Sequence, residues 1–252
     1  MLRQRYLDLH LYNNMGRAFE FRKARKMKRW SNMSKTFTRI GREIIIAVKE
    51  SGPDPSSNSR LRAIIQNAKA ANMPKDNIER AIKKASEKSS ENFKEVLLEG
   101  YAPHGIAILV EAATDNNNRT VANIRSYFNK CEGSLATSGS VDFLFDHLCF
   151  FQIKDQGIDI EELELDLIDF GVIELSKLEN EISITARFED FGSIQKELER
   201  RGLEISSSEF EREAKINKNL TEDERLKVER LINMIDEDED VQNVYHDMKT
   251  IV

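Results

Sequence analysis

A chain of 252 residues with 40% hydrophobic and 33% charged side chains can bury more than one core, and none of its apolar stretches approaches the ~20 residues of a membrane-spanning helix. Its net charge of −6 hides a division: residues 1–88 carry 21 Lys and Arg against 8 Asp and Glu, a net of +13, while residues 89–252 carry 17 against 36, a net of −19. A basic module joined to an acidic body implies one end made for a polyanion and another for something else.

In chain order, residues 1–14 read as an extension or leader ending at Met15, where the basic run begins. No secretory signal is visible, so Cys131 and Cys149 are expected as two reduced, buried thiols, although parity alone permits one disulfide. His10, His104, His147 and His246 show no metal-ligand spacing, and the expected protein is cytoplasmic, without metal or cofactor. Between Arg17 and Arg29, the cations Arg22, Arg25, Lys26 and Arg29 fall at i, i+3, i+4 and i+7, with Lys23 beside them. Like charges so placed repel along a helix, and a polyanion would relieve them.

Three amphipathic helices follow. The first, about 34–50, has Phe37, Ile40, Ile44 and Val48 as its stripe, with Arg39, Arg42 and Lys49 off it, and stops at Ser51-Gly52-Pro53. The second, about 59–71, turns Leu61, Ile64, Ile65 and Ala68 inward and Arg60, Arg62 and Lys69 outward. The third begins near Pro74, with Ile78, Ala81, Ile82 and Ala85 inward. Ser86–Asn92 reads as a linker.

Beyond it the period changes. Ile106, Ile108 and Val110 alternate as in a half-buried strand. Thr114–Asn118 leads into a helix with Val121, Ile124 and Phe128 inward, ended by Gly133. Val141–Phe145 and Cys149–Ile153 read as strands, 159–170 as a helix, Val172–Leu175 and Glu181–Arg187 as strands. A helix over 190–201 closes at Gly202, Leu203–Phe210 is a strand, a last helix is capped at Thr221, and Val241–Tyr245 is a final strand. The result is an α+β multidomain chain with one lobe inserted in another.

Six stretches carry a resemblance: FTRIGREI (Phe37–Ile44), KAANMPKDNIERAIKK (Lys69–Lys84), EGYAPHGIAILVE (Glu99–Glu111), TDNNNRTVANIR (Thr114–Arg125), SGSVDFLF (Ser138–Phe145) and DVQNVYHD (Asp240–Asp247). In this order they resemble the YebC/PmpR family from about Met15 onward. The resemblance implies an N-terminal three-helix basic domain at 15–88 followed by two α+β (ferredoxin-like) lobes, one at 89–154 plus 213–252 and the other inserted in it at 155–212. It also implies a probable transcriptional regulatory protein that binds DNA; organellar relatives resemble translational activators, which makes a ribosome-associated factor binding ribosomal RNA the alternative. The segment MGRAFEFRKARKMKRW departs from the family pattern in detail, as do His104, where relatives often have Gly, and Cys131-Glu132-Gly133, which replaces a common Gly-Gly pair.

The expected nucleic-acid contacts are Arg22, Lys23, Arg25, Lys26, Arg29, Arg39, Arg42, Arg60, Arg62 and Lys69. No zinc-finger spacing, RNP aromatic pair or basic zipper is present, so binding dominated by phosphates is expected. A helix-turn-helix over 59–85 competes with an ordinary helical bundle. Asn116, Asn118 and Arg119 could touch a partner or nucleic acid, although Asx residues before a helix more often cap it. Asp236–Asp240 lacks the Gly and spacing of a calcium loop and reads as a solvated turn. With no P-loop, G-x-S-x-G or Rossmann fingerprint, neither an enzyme nor a small-molecule substrate is expected.

Overall fold

The computed structural model describes residues 33–87, 92–178 and 180–249; the expectations placed on Arg22, Lys23, Arg25, Lys26, Arg29 and residues 1–14 lie outside the described residues. Three helices come first, α1 (Met33–Ser51), α2 (Ser59–Ala70) and α3 (Lys75–Ser86). Their stripes meet as expected: Ile40, Ile44 and Val48 pack with Leu61, Ile64 and Ala68 and with Ile78 and Ala85 in one core. Asn58 ties the first two helices together. Its Oδ1 accepts from the Leu61 N–H at 2.9 Å, capping α2, while its Nδ2 donates to the Ala47 and Gly52 carbonyls at 2.8 Å.

The chain continues through β1 (Lys94–Tyr101), β2 (Ala107–Thr114), α4 (Asn117–Lys130), β3 (Ser134–Leu135) and β4 (Phe145–Lys154). Then come α5 (Ile160–Ile168), β5 (Val172–Leu178), β6 (Glu181–Arg187), α6 (Phe191–Arg200), β7 (Ile205–Ala214), α7 (Glu222–Asp236) and β8 (Val241–His246). Among the described residues the strands form two four-stranded antiparallel sheets, ordered β3-β1-β2-β8 and β5-β6-β4-β7. The fold is α+β, with the helical part preceding both sheets. The second sheet and its two helices run β-α-β-β-α-β, the ferredoxin-like order. In the chain it lies between β3 and β8 of the first sheet, and it starts at Phe145, because β4 is one of its two central strands.

Each sheet is roofed by two helices. Ile124 and Phe128 of α4 and Val228, Leu231 and Ile235 of α7 cover Ile106, Ile108 and Val110. On the other sheet Leu163, Leu167, Ile194 and Leu198 cover Phe151, Ile153, Ile182 and Ile184. β2 is buried on both faces rather than half-buried, because Ala107 and Leu109 meet Val141, Phe145 and Tyr245 on the far side.

Three local expectations are corrected. β1 has no counterpart among the expected strands: its apolar run Val96–Leu98 is short and bracketed by Lys94-Glu95 and Glu99, and unbroken pairing with β2 from Lys94↔Thr114 to Tyr101↔Ala107 makes it a strand. Val141–Phe145 is not a strand but a single 3-10 turn, Asp142–Leu144, running into β4. The buried Glu99 carboxylate accepts from the N–H groups of Gly139 (2.6 Å), Val141 (2.7 Å) and Asp142 (3.0 Å), and donors so used cannot join a ladder. Finally, α4 ends at Lys130, and the left-handed residue is Glu132 (φ 58°), not Gly133. Gly133 is needed for close approach, since a Cβ there would sit 2.8 Å from the Tyr101 carbonyl oxygen. His104, where the resemblance implies Gly, is also left-handed (φ 64°). Both cysteines are buried free thiols, and burial pushes Cys149 up to about 12.

Candidate nucleic-acid interface

Lys35, Arg39 and Arg42 stand at i, i+4 and i+7 of α1 and so form one basic stripe. The structure turns this stripe inward, onto the acidic turn between α7 and β8. Arg39 is buried; its Nε donates to the Val241 carbonyl and its Nη2 to the Asp236 carbonyl, both at 2.9 Å, and Nη2 also meets Asp236 Oδ1 at 3.0 Å. Arg42 pairs with Asp240 Oδ1 at 3.1 Å, donates to the Ala113 (3.2 Å) and Glu239 carbonyls, and lies over the Phe93 ring. Lys35 donates to the Asp236 carbonyl. Arg39 and Arg42 thus join two parts of the chain, and neither presents its guanidinium to an external phosphate.

The receiving turn is not the solvated acidic turn its composition suggests. Glu237 and Glu239 are exposed, whereas Asp238 and Asp240 are buried. Asp238 accepts from the Tyr127 hydroxyl (3.0 Å) and Asn123 Nδ2 (3.2 Å). Asp240 is the hub: its Oδ2 accepts from Thr120 Oγ1 at 2.7 Å, Arg119 Nη2 at 2.8 Å and Thr114 Oγ1 at 3.1 Å. Burial would push its carboxyl up, but the donors Arg119, Thr120 and Thr114 outweigh burial and hold it below the usual carboxylate range. Composition gave no signal for this, because residues 237–240 form a turn rather than a strand and have no regular period.

α2 is treated likewise. Arg60 bridges Glu50 (2.9 Å) and Glu95, and Arg62 holds Glu199 at the end of α6 (2.7 Å) as well as the Ser56 carbonyl (3.2 Å). Asn67 uses both ends of its amide on β7, accepting from the Ser208 N–H at 3.1 Å and donating to the Ser208 carbonyl, and so covers an edge strand. Of the expected contacts within the described residues, Lys69 is the one helical-domain cation left exposed. Sequence reasoning passed over Lys75, Arg80, Lys83 and Lys84, which are exposed on α3, where Arg80, Lys83 and Lys84 share a face at i, i+3 and i+4. The signal was the α3 stripe itself: once Ile78, Ala81, Ile82 and Ala85 go inward, these cations must face out.

Asn116 caps α4, its Oδ1 accepting from the Arg119 N–H at 3.2 Å, while Asn118 is exposed. Arg119 pairs with Asp115 and Asp240 at 2.8 Å each, yet its side chain keeps 47% of its exposure. Among the described residues no group of three His, Cys, Asp or Glu side chains is placed to hold a metal ion, and no helix is long and apolar enough to cross a membrane.

Two of the buried carboxylates, Glu99 and Asp240, shape the acid response. Glu99 is held below the usual range because the N–H groups of Val141, Gly139, Asp142 and Ser140 outweigh its burial, and Asp240 is held down as described. A carboxyl lowered in the folded state contributes stability above its unfolded pKa and loses it as pH falls through its folded value. The melting temperature should therefore fall modestly as pH drops through about 6.5, because His147, whose pKa is lowered by burial and by Arg212, takes up its proton more readily in the unfolded chain, and fall steeply below about pH 4. A pH-series of thermal melts checks this, and Glu99→Gln should blunt the fall.

Two family models match the chain: the TACO1/YebC protein N-terminal domain over residues 17–88, and the TACO1/YebC second and third domain over residues 93–248. A probable transcriptional regulatory protein of Flavobacterium johnsoniae is 68% identical over 235 residues, covering 93% of this chain and 99% of that protein. One from Porphyromonas gingivalis is 58% identical over 236 residues, covering 93% and 98%. The crystal structure of a conserved hypothetical protein from Aquifex aeolicus superimposes with a TM-score of 0.70 at 37% identity, covering 86% of this chain and 90% of that one. With both models in register and close relatives along nearly their whole length, the chain belongs to the TACO1/YebC family, the YebC/PmpR family of the sequence resemblance.

Proposed function

We propose that the protein is a transcriptional regulator that binds DNA chiefly through phosphate contacts of its basic N-terminal module, residues 15–88. The observation that carries this reading is which cations of the module stand on its surface. Arg39, Arg42, Arg60 and Arg62 are engaged by acids, while Lys69, Lys75, Arg80, Lys83 and Lys84 stay exposed, and the run from Arg17 to Arg29 adds seven cations against Glu20 alone. The contact set is therefore the basic run plus α3, with Arg119 at the margin. The acidic lobes hold the module in place and offer a surface of opposite sign to a protein partner. The names of the relatives support a regulatory role.

One observation favours a second reading. Cations without a base-reading element suit the A-form backbone of ribosomal RNA as well as duplex DNA. Gel shifts on promoter and random duplexes, run beside ribosome co-sedimentation at moderate salt, separate the two. Promoter selectivity without co-sedimentation is the expected result. Co-sedimentation with no preference among duplexes would replace the regulator by a ribosome-associated factor.

A further inference from the structure

Alternation along its strands gives the ferredoxin-like sheet two faces. One carries Cys149, Phe151 and Ile153 and is roofed by α5 and α6. The register sets the other. Glu174, Thr185, Phe150 and Glu209 form one row across β5, β6, β4 and β7; Arg187, Leu148 and Glu211 form the next; Asp146 and Glu213 form a third. The carboxylates of Glu174, Glu209, Glu211, Glu213 and Asp146 thus share this face with Arg187 and with Lys215, which lies 3.5 Å from Asp146. Like charges ranged along one strand, and directly opposite at Asp146↔Glu213, repel and call for cations. The face is nevertheless covered. Phe150 is 5% exposed and Glu211 1%, although Phe150 belongs to none of the described cores.

A second observation marks where the cover enters. At Glu209 the face opens into a cleft between α1, α2, β7 and β8, lined also by Thr36, Arg39, Ile40 and Gln242. Gln242, the extra residue of a β-bulge in β8, is 8% exposed, and among the described residues neither its Oε1 nor its Nε2 has a hydrogen-bond partner. Buried amides are normally satisfied. An amide with both ends unpaired fits the N–H and C=O of one extended residue, as Asn67 clamps both groups of Ser208. A phosphate offers acceptors alone, and Arg39 in the cleft is already turned to Asp236 and Val241.

We infer that the basic run Arg17–Arg29 of the same chain covers this face when no polyanion is bound, its backbone passing Gln242 in the cleft. The run carries seven cations against Glu20 for the carboxylates, and Phe19, Phe21 and the following Trp30 for Phe150 and Leu148. Its position suits the task. It ends four residues before α1 begins at Met33, and Thr36 already lines the cleft. Extended, a run of this length reaches roughly 40 Å, and Glu209 to Glu213 spans only about 13 Å. The contact is autoinhibitory, because a polyanion must take the run from the chain's own carboxylates. That consequence rests on the nucleic-acid reading above; the contact itself does not.

Trp30 is the one tryptophan of the chain, so its fluorescence reports the contact. In the full chain without nucleic acid, Trp30 should be shielded from acrylamide at ~10 mM salt, and trypsin should cut the run slowly. Both protections should fade toward ~1 M salt, where charges act over only ~3 Å. Changing Glu174→Gln, Glu209→Gln and Glu213→Gln together should speed cleavage about tenfold at low salt, as expected for the loss of three surface ion pairs. Glu211 stays because it is buried. Gln242→Met should act in the same direction, and thermal melts show that each variant is folded. Removing the same charge at the exposed Glu161, Glu189 and Glu222 should change neither readout. Trp30 quenched as freely in the natural chain as in urea, or cleavage unaltered in the triple variant, overturns the inference. Protection that disappears on dilution would assign the face to the run of a second copy and overturns it too. The triple variant should also bind a duplex about tenfold more tightly than the charge-matched control; equal affinities would remove the autoinhibition. If no duplex binds even at ~50 mM salt while the protections behave as stated, the nucleic-acid reading falls and the contact stands.

Discussion

Asp240→Ala is expected to lower the free energy of unfolding by about 3–5 kcal/mol, the range found when one partner of a buried ion pair is removed. The reason lies in what the carboxylate leaves behind. Arg42, Arg119, Thr114 and Thr120 all point at it. Without it, the partly buried Arg42 keeps its Ala113 and Glu239 carbonyls but loses its countercharge, and the Thr114 and Thr120 hydroxyls lose their common acceptor. Asp240→Asn should recover little, because one oxygen becomes a donor facing other donors. Urea unfolding of Asp240→Ala, Arg42→Ala and the double variant forms a cycle, and the two side chains should couple by more than about 1 kcal/mol. A loss below about 1 kcal/mol for Asp240→Ala would mean that the helical domain is held by its apolar contacts alone.

The second large effect concerns binding. Reversing Arg22, Arg25, Lys26 and Arg29 to Glu should weaken duplex binding at least a hundredfold at about 100 mM salt, and flatten the logarithmic salt slope by roughly 3–4, close to 0.9 for each phosphate no longer neutralised. Arg80→Glu with Lys83→Glu should act in the same direction and more weakly. Arg39→Glu behaves differently: it puts a carboxylate against Asp236, so its first symptom should be lost stability, with the salt slope of the folded fraction unchanged. Thermal melts run beside the binding titrations distinguish the two. Full affinity in the quadruple variant would place the phosphate-binding surface elsewhere on the chain.

Much of the fold was legible because it rests on local rules. The stripes of Ile40–Ile44–Val48, Leu61–Ile64–Ala68 and Ile78–Ala85 recur near 3.6 residues and became three helices packed on one another. Thr221 with Glu224 forms the capping box that starts α7, and Asn116 caps α4 as Asx chemistry suggests. β1 escaped because its apolar run is too short to show a period, and Val141–Phe145 misled because its strand-like composition is overruled by Glu99, about forty residues earlier in the chain.

The candidate site divides along the same line. By itself the sequence determined the charge division, the three-helix module and the family, because each is a property of composition or of neighbours in the chain. Only the tertiary structure decided which cations are available. Arg39 and Lys69 are equally basic and equally off the apolar stripe, but one is buried against Asp236 and the other is exposed. Likewise nothing around Gln242 announces that it is the extra residue of a bulge in β8, where Ala112 pairs with Val241 and Glu111 with Asn243. Helix periodicity fixes which side chains leave a helix's own core. Whether they then meet water or an acid from a segment about two hundred residues away depends on long-range packing, which no local pattern encodes.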